Sequence, residues 1–278
     1  MQTSQATGHD TPKHRGHRES NLKLGASVPR CVVFVVTAFL VCLPFSADAQ
    51  RGGAGRGGPP ATPRDGAALD LTGYWVSVIT EDWRYRMVTP KSGVFDSIPL
   101  NGEGRKIGMG WDPAKDEAGG EACRAYTAAN VMRLPGRLHI TWRDANTLQI
   151  DTDAGSQTRL LNFAAATAAA APSWQGHSVA QWEYAPGGGR GAARLGNLKV
   201  VTTNLRAGYV RRNGAPHSDK AVVTEYFDMN TLANGDTWLT ITTKVEDPVY
   251  FTRPYITTTD FKKLPNAMGW NPTPCDAR

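Results

Sequence analysis

Between Leu71 and the C-terminus, apolar and polar residues alternate in short runs separated by Gly, Asn, Asp and Pro, with scarcely any 3.6-residue periodicity. Alternation at period two sends successive side chains to opposite faces of an extended chain, so each run can bury one face and wet the other. A lone sheet built from such runs leaves its apolar face and its edges uncovered. Closure into a barrel removes both problems, and stacking into a sandwich covers the apolar face. The pattern therefore predicts an all-β fold, an antiparallel barrel, with a β-sandwich as the alternative. Trp75, Ser77, Ile79, Glu81, Trp83, Tyr85 and Met87 share one face, so residues 74–87 read as one long strand or two joined by a bulge. Further strands are expected at 138–142, 147–152, 157–163, 174–184, 197–205, 221–229, 236–246 and 254–263, with Asn234-Gly235 as a hairpin signal. Residues 100–122, rich in Gly and charge, read as a short helix or ordered loop. The Ala run from 164 to 171 stops at Pro172 and reads as an insertion.

The first 49 residues have a different texture. Lys13, Arg15, Arg18, Lys23 and Arg30 precede an apolar stretch from Cys31 to Leu43, and Ala47-Asp48-Ala49 has the small-x-small form that signal peptidase accepts. The apolar stretch falls short of the roughly 20 residues a transmembrane helix needs. A cleaved signal peptide is the reading, with a retained signal anchor as the alternative. Val41 stands before Cys42, where lipoprotein processing wants a small residue, which argues against a lipid anchor. Residues 50–68 form a Gly/Arg/Pro-rich linker, and 69–278 are expected to make one β-barrel domain. RGG-type tracts bind RNA, but one placed directly after an export signal reads as a spacer. The formal net charge of +6 falls when the basic leader is removed, which leaves no nucleic-acid footprint. The mature chain is expected to be periplasmic or secreted, without stable insertion in a membrane.

Two of the four cysteines, Cys31 and Cys42, leave with the leader. Cys123 and Cys275 remain, an even pair in an oxidising compartment, and are expected to be bridged, with two free thiols as the alternative. A bridge closing so long a loop would contribute ~5 kcal/mol on the chain-entropy model. The sequence holds no CxxC, no HExxH and no close His/Cys cluster, so neither a metal site nor a cofactor is expected.

Three groups of residues carry possible chemistry. Gly176-His177-Ser178-Val179-Ala180 is one residue short of the G-x-S-x-G nucleophile elbow, which needs a strand entering the serine and a helix leaving it. The exit here, Gln181-Trp182-Glu183-Tyr184, alternates like a strand, and the only later histidine is His217. His177, His217 and Glu225, if neighbouring strands bring them together, would make a metal or acid–base site. The plainer alternative has each histidine cap its own turn while Glu225 pairs across strands with Arg159 or Arg212. Gly73-Tyr74-Trp75 has the G-x-W form seen on the first strand of lipocalin-like barrels, where the tryptophan closes one end and the barrel holds a small apolar ligand.

Taken together, Gly176 to Glu183, Gly214 to Ser218, Glu225 to Phe227 and Asp247 to Tyr255 resemble a family of secreted bacterial β-proteins. That family carries, in this order, G-x-S-V-x-x-W-E, G-x-P-H-S, E-[RY]-[FY] and D-P-x-x-[FY]-T-x-P motifs, with one cysteine early in the domain and one near the chain end. The resemblance spans about residues 70–275 and implies architecture and export rather than a reaction. The chain departs from it by inserting Tyr184 to Asn197 after the Trp-Glu pair, and by Tyr226 where relatives carry Arg.

The leading functional expectation is a binding protein for a small apolar or amphipathic molecule. Trp75, Trp142, Arg159, His177, Trp182, His217 and Glu225 are the expected contacts. Of the eight tryptophans, all but Trp270 lie between residues 75 and 238, within or beside expected strands. The alternatives are a hydrolase or isomerase using His177, His217 and Glu225, and an envelope interaction module without a small ligand. Intact-mass analysis of exported protein should show a chain beginning at Gln50; recovery of the full-length chain from the envelope would refute cleavage.

Overall fold

In the computed structural model, nine strands close into a barrel. The structure describes residues 61–164, 171–185 and 196–278. The proposed leader, the linker up to residue 60, most of the Ala run and residues 186–195 of the expected insertion lie outside the described residues. All described residues belong to one unit, Gly55–Arg278.

In chain order the elements are β1 (Gly73–Val78), α1 (Trp83–Met87), α2 (Gly102–Met109), α3 (Pro113–Ala118), β2 (Arg137–Trp142), β3 (Thr147–Thr152) and β4 (Thr158–Asn162). They are followed by β5 (His177–Tyr184), β6 (Gly196–Thr203), β7 (Gly208–Arg211), β8 (Ala215–His217), β9 (Val222–Thr231), β10 (Thr237–Glu246) and β11 (Tyr255–Leu264). Around the barrel the order is β1-β11-β10-β9-β6-β5-β4-β3-β2, while β7 and β8 form a separate ribbon. The all-β barrel read from the alternation is therefore present, and the sandwich is not. The sheet is mixed rather than wholly antiparallel, because β4 and β5 run parallel. Their seam is short, pairing only Leu161 with Ser178 and Asn162 with Val179.

The inward residues follow from the alternation. Trp75, Leu138, Ile140, Leu148, Ile150, Leu161, Leu198, Val200, Phe227, Leu239, Ile241 and Phe261 are buried in one continuous core. Each large apolar side chain so buried contributes about 1.5–3 kcal/mol relative to exposure. Trp75 directs its indole N–H to the carbonyl of Leu71 at 2.9 Å, which satisfies its one polar group inside the core.

The two ends differ. One is covered by residues 79–136, by the β7–β8 ribbon and by the segment after β10. A second core formed by Phe95, Ile98, Leu100, Ala128, Ala129, Val210 and Ala215 continues into the barrel through Val223, Val245 and Tyr255. At this end, residues 79–87 depart from the expected strand. Asp82 takes a left-handed backbone conformation (φ 47°), which breaks the extended run. Glu81 and Asp82 are then held by Arg133 at 3.2 and 2.8 Å, and the chain turns into α1. Residues 100–122 form two short helices, α2 and α3, capped by Asn101 and Asp112, whose side chains accept from the backbone N–H groups of Gly104 and Ala114.

The G-x-P-H-S turn joins the D-P run inside this cap. The Asp247 carboxylate accepts from both the backbone N–H and the hydroxyl of Ser218. Gly214 holds φ at +81° against the Trp111 ring, where a side chain would meet both strain and a clash. The opposite end is crossed by residues 61–72. Trp182 donates to the Pro63 carbonyl at 2.9 Å and Tyr184 to the Gly66 carbonyl at 2.8 Å. Residues 61–68, the last part of the expected linker, are thus a strap over the barrel mouth.

Cys123 and Cys275 form a disulfide that ties the C-terminal tail to the cap. Cys275→Ser should lower the unfolding free energy by about 2–5 kcal/mol. Urea denaturation of variant and wild type would measure the loss, and equal midpoints with equal slopes would contradict it.

Candidate functional site

Three aromatic rings from three strands step along the barrel mouth. Trp142 ends β2, Phe163 follows β4, and Trp182 lies near the end of β5. The Trp142–Phe163 and Phe163–Trp182 ring centroids are each 5.5 Å apart. Inward positions of neighbouring strands meet at this rim, and the rings pack against the top of the barrel core. Beside them lies an open groove of about 600 Å³, lined by the strap residues Ala61, Pro63 and Gly66 and by Phe163, Ala180, Trp182 and Tyr184. The polar tips of Trp182 and Tyr184 are spent on strap carbonyls, so their rings remain as apolar walls.

Below the rim the barrel is filled. Arg159 on β4 and Glu225 on β9 are both 0 % exposed and form a bidentate ion pair, Nη1 to Oε1 at 3.0 Å and Nη2 to Oε2 at 2.6 Å. Nη2 also lies 3.4 Å from the hydroxyl of Thr202, which in turn shares a 2.7 Å hydrogen bond with Ser178. Thr243 stands opposite Glu225 on β10, and Thr243, Thr257 and Thr259 are buried too. Strand alternation sends all of these inward, so a polar layer sits beneath the apolar one.

The seven expected contact residues therefore divide. Trp142 and Trp182 belong to the rim. Trp75 is buried in the core, away from any opening. Arg159 and Glu225 meet each other, which is the cross-strand pairing offered as the plainer alternative for Glu225. His217 sits in the cap, its Nε2 2.9 Å from the Thr127 hydroxyl and its Nδ1 2.9 Å from the Ser218 carbonyl oxygen. Burial holds its pKa below 6.5, against a smaller upward pull from the Ser218 carbonyl and Asp247. His177 opens β5, adjacent to Ser178, which points inward. The His177 Nε2 is buried without a hydrogen-bond partner. The two histidines are at the capped end with different surroundings, while Glu225 is inside the barrel and bound to Arg159. Ser178 lies within a strand and bonds Thr202, so no nucleophile elbow forms.

Among the described residues, no group of three or more His, Cys, Asp or Glu side chains is placed to hold a metal ion. Nor is any helix among them long and apolar enough to cross a membrane. Phe163, Tyr184 and the strap were not singled out from the sequence. Phe163 ends an expected strand and carried a usable signal, whereas the strap is hidden in linker-like composition. No protein-family model matches the chain, and no curated protein or solved structure is significantly similar to it.

A buried ion pair costs several kcal/mol per ion in desolvation, which only good geometry and further hydrogen bonds offset. Glu225→Ala, which strands Arg159, should lower stability by about 3–5 kcal/mol. The double variant Arg159→Leu with Glu225→Leu should cost less than either single loss. Strictly additive single-variant losses in denaturant titrations would show that the two groups do not act as a pair.

Proposed function

We propose that the mature chain is an exported binding protein for a small apolar or amphipathic molecule, which lies in the groove at the barrel mouth. The observation that carries this reading is the juxtaposition of a groove of about 600 Å³ with the Phe163, Trp182 and Tyr184 rings. Grooves of this size lined by aromatic groups suit drug-sized ligands. Export is supported by the leader-like N-terminal sequence and accords with the Cys123–Cys275 disulfide. The ligand lies across the rim rather than deep in the barrel, because Trp75, Phe227, Phe261, Arg159 and Glu225 occupy the interior. The filled interior also favours a second reading, an envelope interaction module whose contact surface is the rim.

Titration with an amphipathic fluorescent probe such as anilinonaphthalene sulfonate tests the first reading. Saturable binding is expected, with Trp182→Ala losing about 1.5–3 kcal/mol of affinity, or roughly 10- to 150-fold. Saturable binding that survives both Trp182→Ala and Phe163→Ala would place the ligand elsewhere, and absence of saturable binding would favour the interaction module.

A further inference from the structure

β5 is paired along its whole length on one side only. Its ladder to β6 runs from His177–Thr203 to Tyr184–Gly196 without a shift of register. On the other side its register pairs with β4 stop at Val179. The Phe163 N–H, next along from β4, is turned the other way, onto the Asn146 carbonyl at 2.9 Å. From Trp182 onward the β4-facing edge of β5 has no strand beside it among the described residues.

The direction of the backbone groups along this edge follows from the seam itself. Asn162 Nδ2 donates to the Ser178 carbonyl oxygen at 3.2 Å, so that carbonyl faces β4. In a strand the N–H and C=O of one residue point to one side, and those of the next residue to the other. The unshifted ladder to β6 preserves this alternation as far as Tyr184. Asn162, whose register partner is Val179, bonds the residues on either side of it, so the parallel ladder ends at the Ala180 N–H. The Ala180 carbonyl and the N–H and C=O groups of Trp182 and Tyr184 point the same way and, among the described residues, meet no other backbone group.

Those groups look toward the mouth groove. Its walls include Phe163 and, in succession, Ala180, Gln181 and Trp182. Successive side chains of a strand stand on opposite faces of the sheet, so a groove that touches all three runs along the strand edge. The strap on the far side bonds β5 through the Trp182 and Tyr184 side chains, and none of its backbone groups bonds the β5 backbone. Backbone groups are costly to leave unpaired, so these meet either water or a ligand in the groove.

We propose that the groove takes an extended peptide segment, added as a strand to this edge of β5. The proposal rests on the reading that the groove is the binding surface, and it names the occupant. Trp182 and Tyr184 offer main-chain donors and acceptors at every second residue, and an extended peptide carries matching groups at the same spacing. A lipid chain or an aromatic hydrocarbon has none. From Ala180 to Tyr184 the edge accommodates a strand of about five residues, roughly 16 Å long. Alternate side chains of that strand fall beside the Phe163 and Trp182 rings, and the others beside the exposed Gln181. The segment that fits therefore has apolar residues at every second position.

The test uses the mature chain, isotopically labelled for amide hydrogen exchange by NMR. In the free protein the Trp182 and Tyr184 amides should exchange much faster than those of Gln181 and Glu183, which bond β6. The probe is a peptide of alternating valine and threonine with a lysine at each end. At about 10 times its Kd, it should slow exchange at Trp182 and Tyr184 about 10-fold. A counterpart with every backbone amide N-methylated keeps the side chains, loses the donors, and should bind at least about 10-fold more weakly. Trp182 and Tyr184 amides already protected in the free protein would overturn the proposal, and a dimer in sedimentation would then identify a second copy of the chain as the occupant. Equal binding of the two peptides, or no slowing at the two amides, would also overturn it. In either case, anilinonaphthalene sulfonate binding that is lost in Trp182→Ala would leave the groove standing as a site for a small molecule. Failure of both peptide and probe to bind would remove the groove reading as well.

Discussion

The barrel depends on how its weakest seam is held. Every other pair of neighbouring strands is antiparallel and zipped over several residues, but β4 and β5 are parallel and share two register pairs. The Arg159–Glu225 ion pair spans that seam from the inside. It reaches from β4 past β5 and β6 to β9, with Thr202 and Ser178 beneath it on the intervening strands. Asn162 adds a side-chain bond to the Ser178 carbonyl at 3.2 Å. A pair of buried charges is a poor source of net stability but a demanding one geometrically. Here it fixes Arg159 of β4 against Glu225 of β9 across the two intervening strands.

That constraint divides the labour between the two ends. A polar layer in the middle and apolar layers beyond it leave little room inside, and among the described residues the aromatic groove lies where the barrel meets other chain segments. At the mouth these segments are the strap and the strand ends, which present rings. At the cap they are α1, the Arg133 segment and the ribbon, which present guanidinium groups. One barrel thus supports an apolar face and a cationic one, separated by its own core.

The strands were legible because alternation is a local property and burial of one face enforces it. The expected runs at 138–142, 147–152, 221–229 and 236–246 fall on β2, β3, β9 and β10 within a few residues. The same signal misled at 79–87. Trp83, Tyr85 and Met87 alternate with Asp82, Arg84 and Arg86 as a strand would, yet residues 83–87 are helical, and Trp83 and Met87 are exposed while Arg86 is buried. Acid–base pairing to Arg133 and a left-handed residue set that geometry, and neither shows in a hydropathy pattern. The β7–β8 ribbon escaped because it is short and embedded in arginines. Of the candidate site residues, Trp142 and Trp182 were legible as strand aromatics. Phe163's place on the rim required knowing which distant segments meet.

The disulfide has a consequence that reaches beyond stability. The tail it fastens carries Asp276, whose backbone N–H donates to the Tyr126 hydroxyl and whose carboxylate holds Arg212. Ala277 is likewise moored through its N–H to Glu117. A covalent bond between residues 152 positions apart therefore helps set where one negative charge stands beside Arg212. Reduction would remove the covalent part of that mooring and leave the carboxylate to the hydrogen bonds of the tail. In this way a covalent bond takes part in the local electrostatics, through a few residues at the end of the chain.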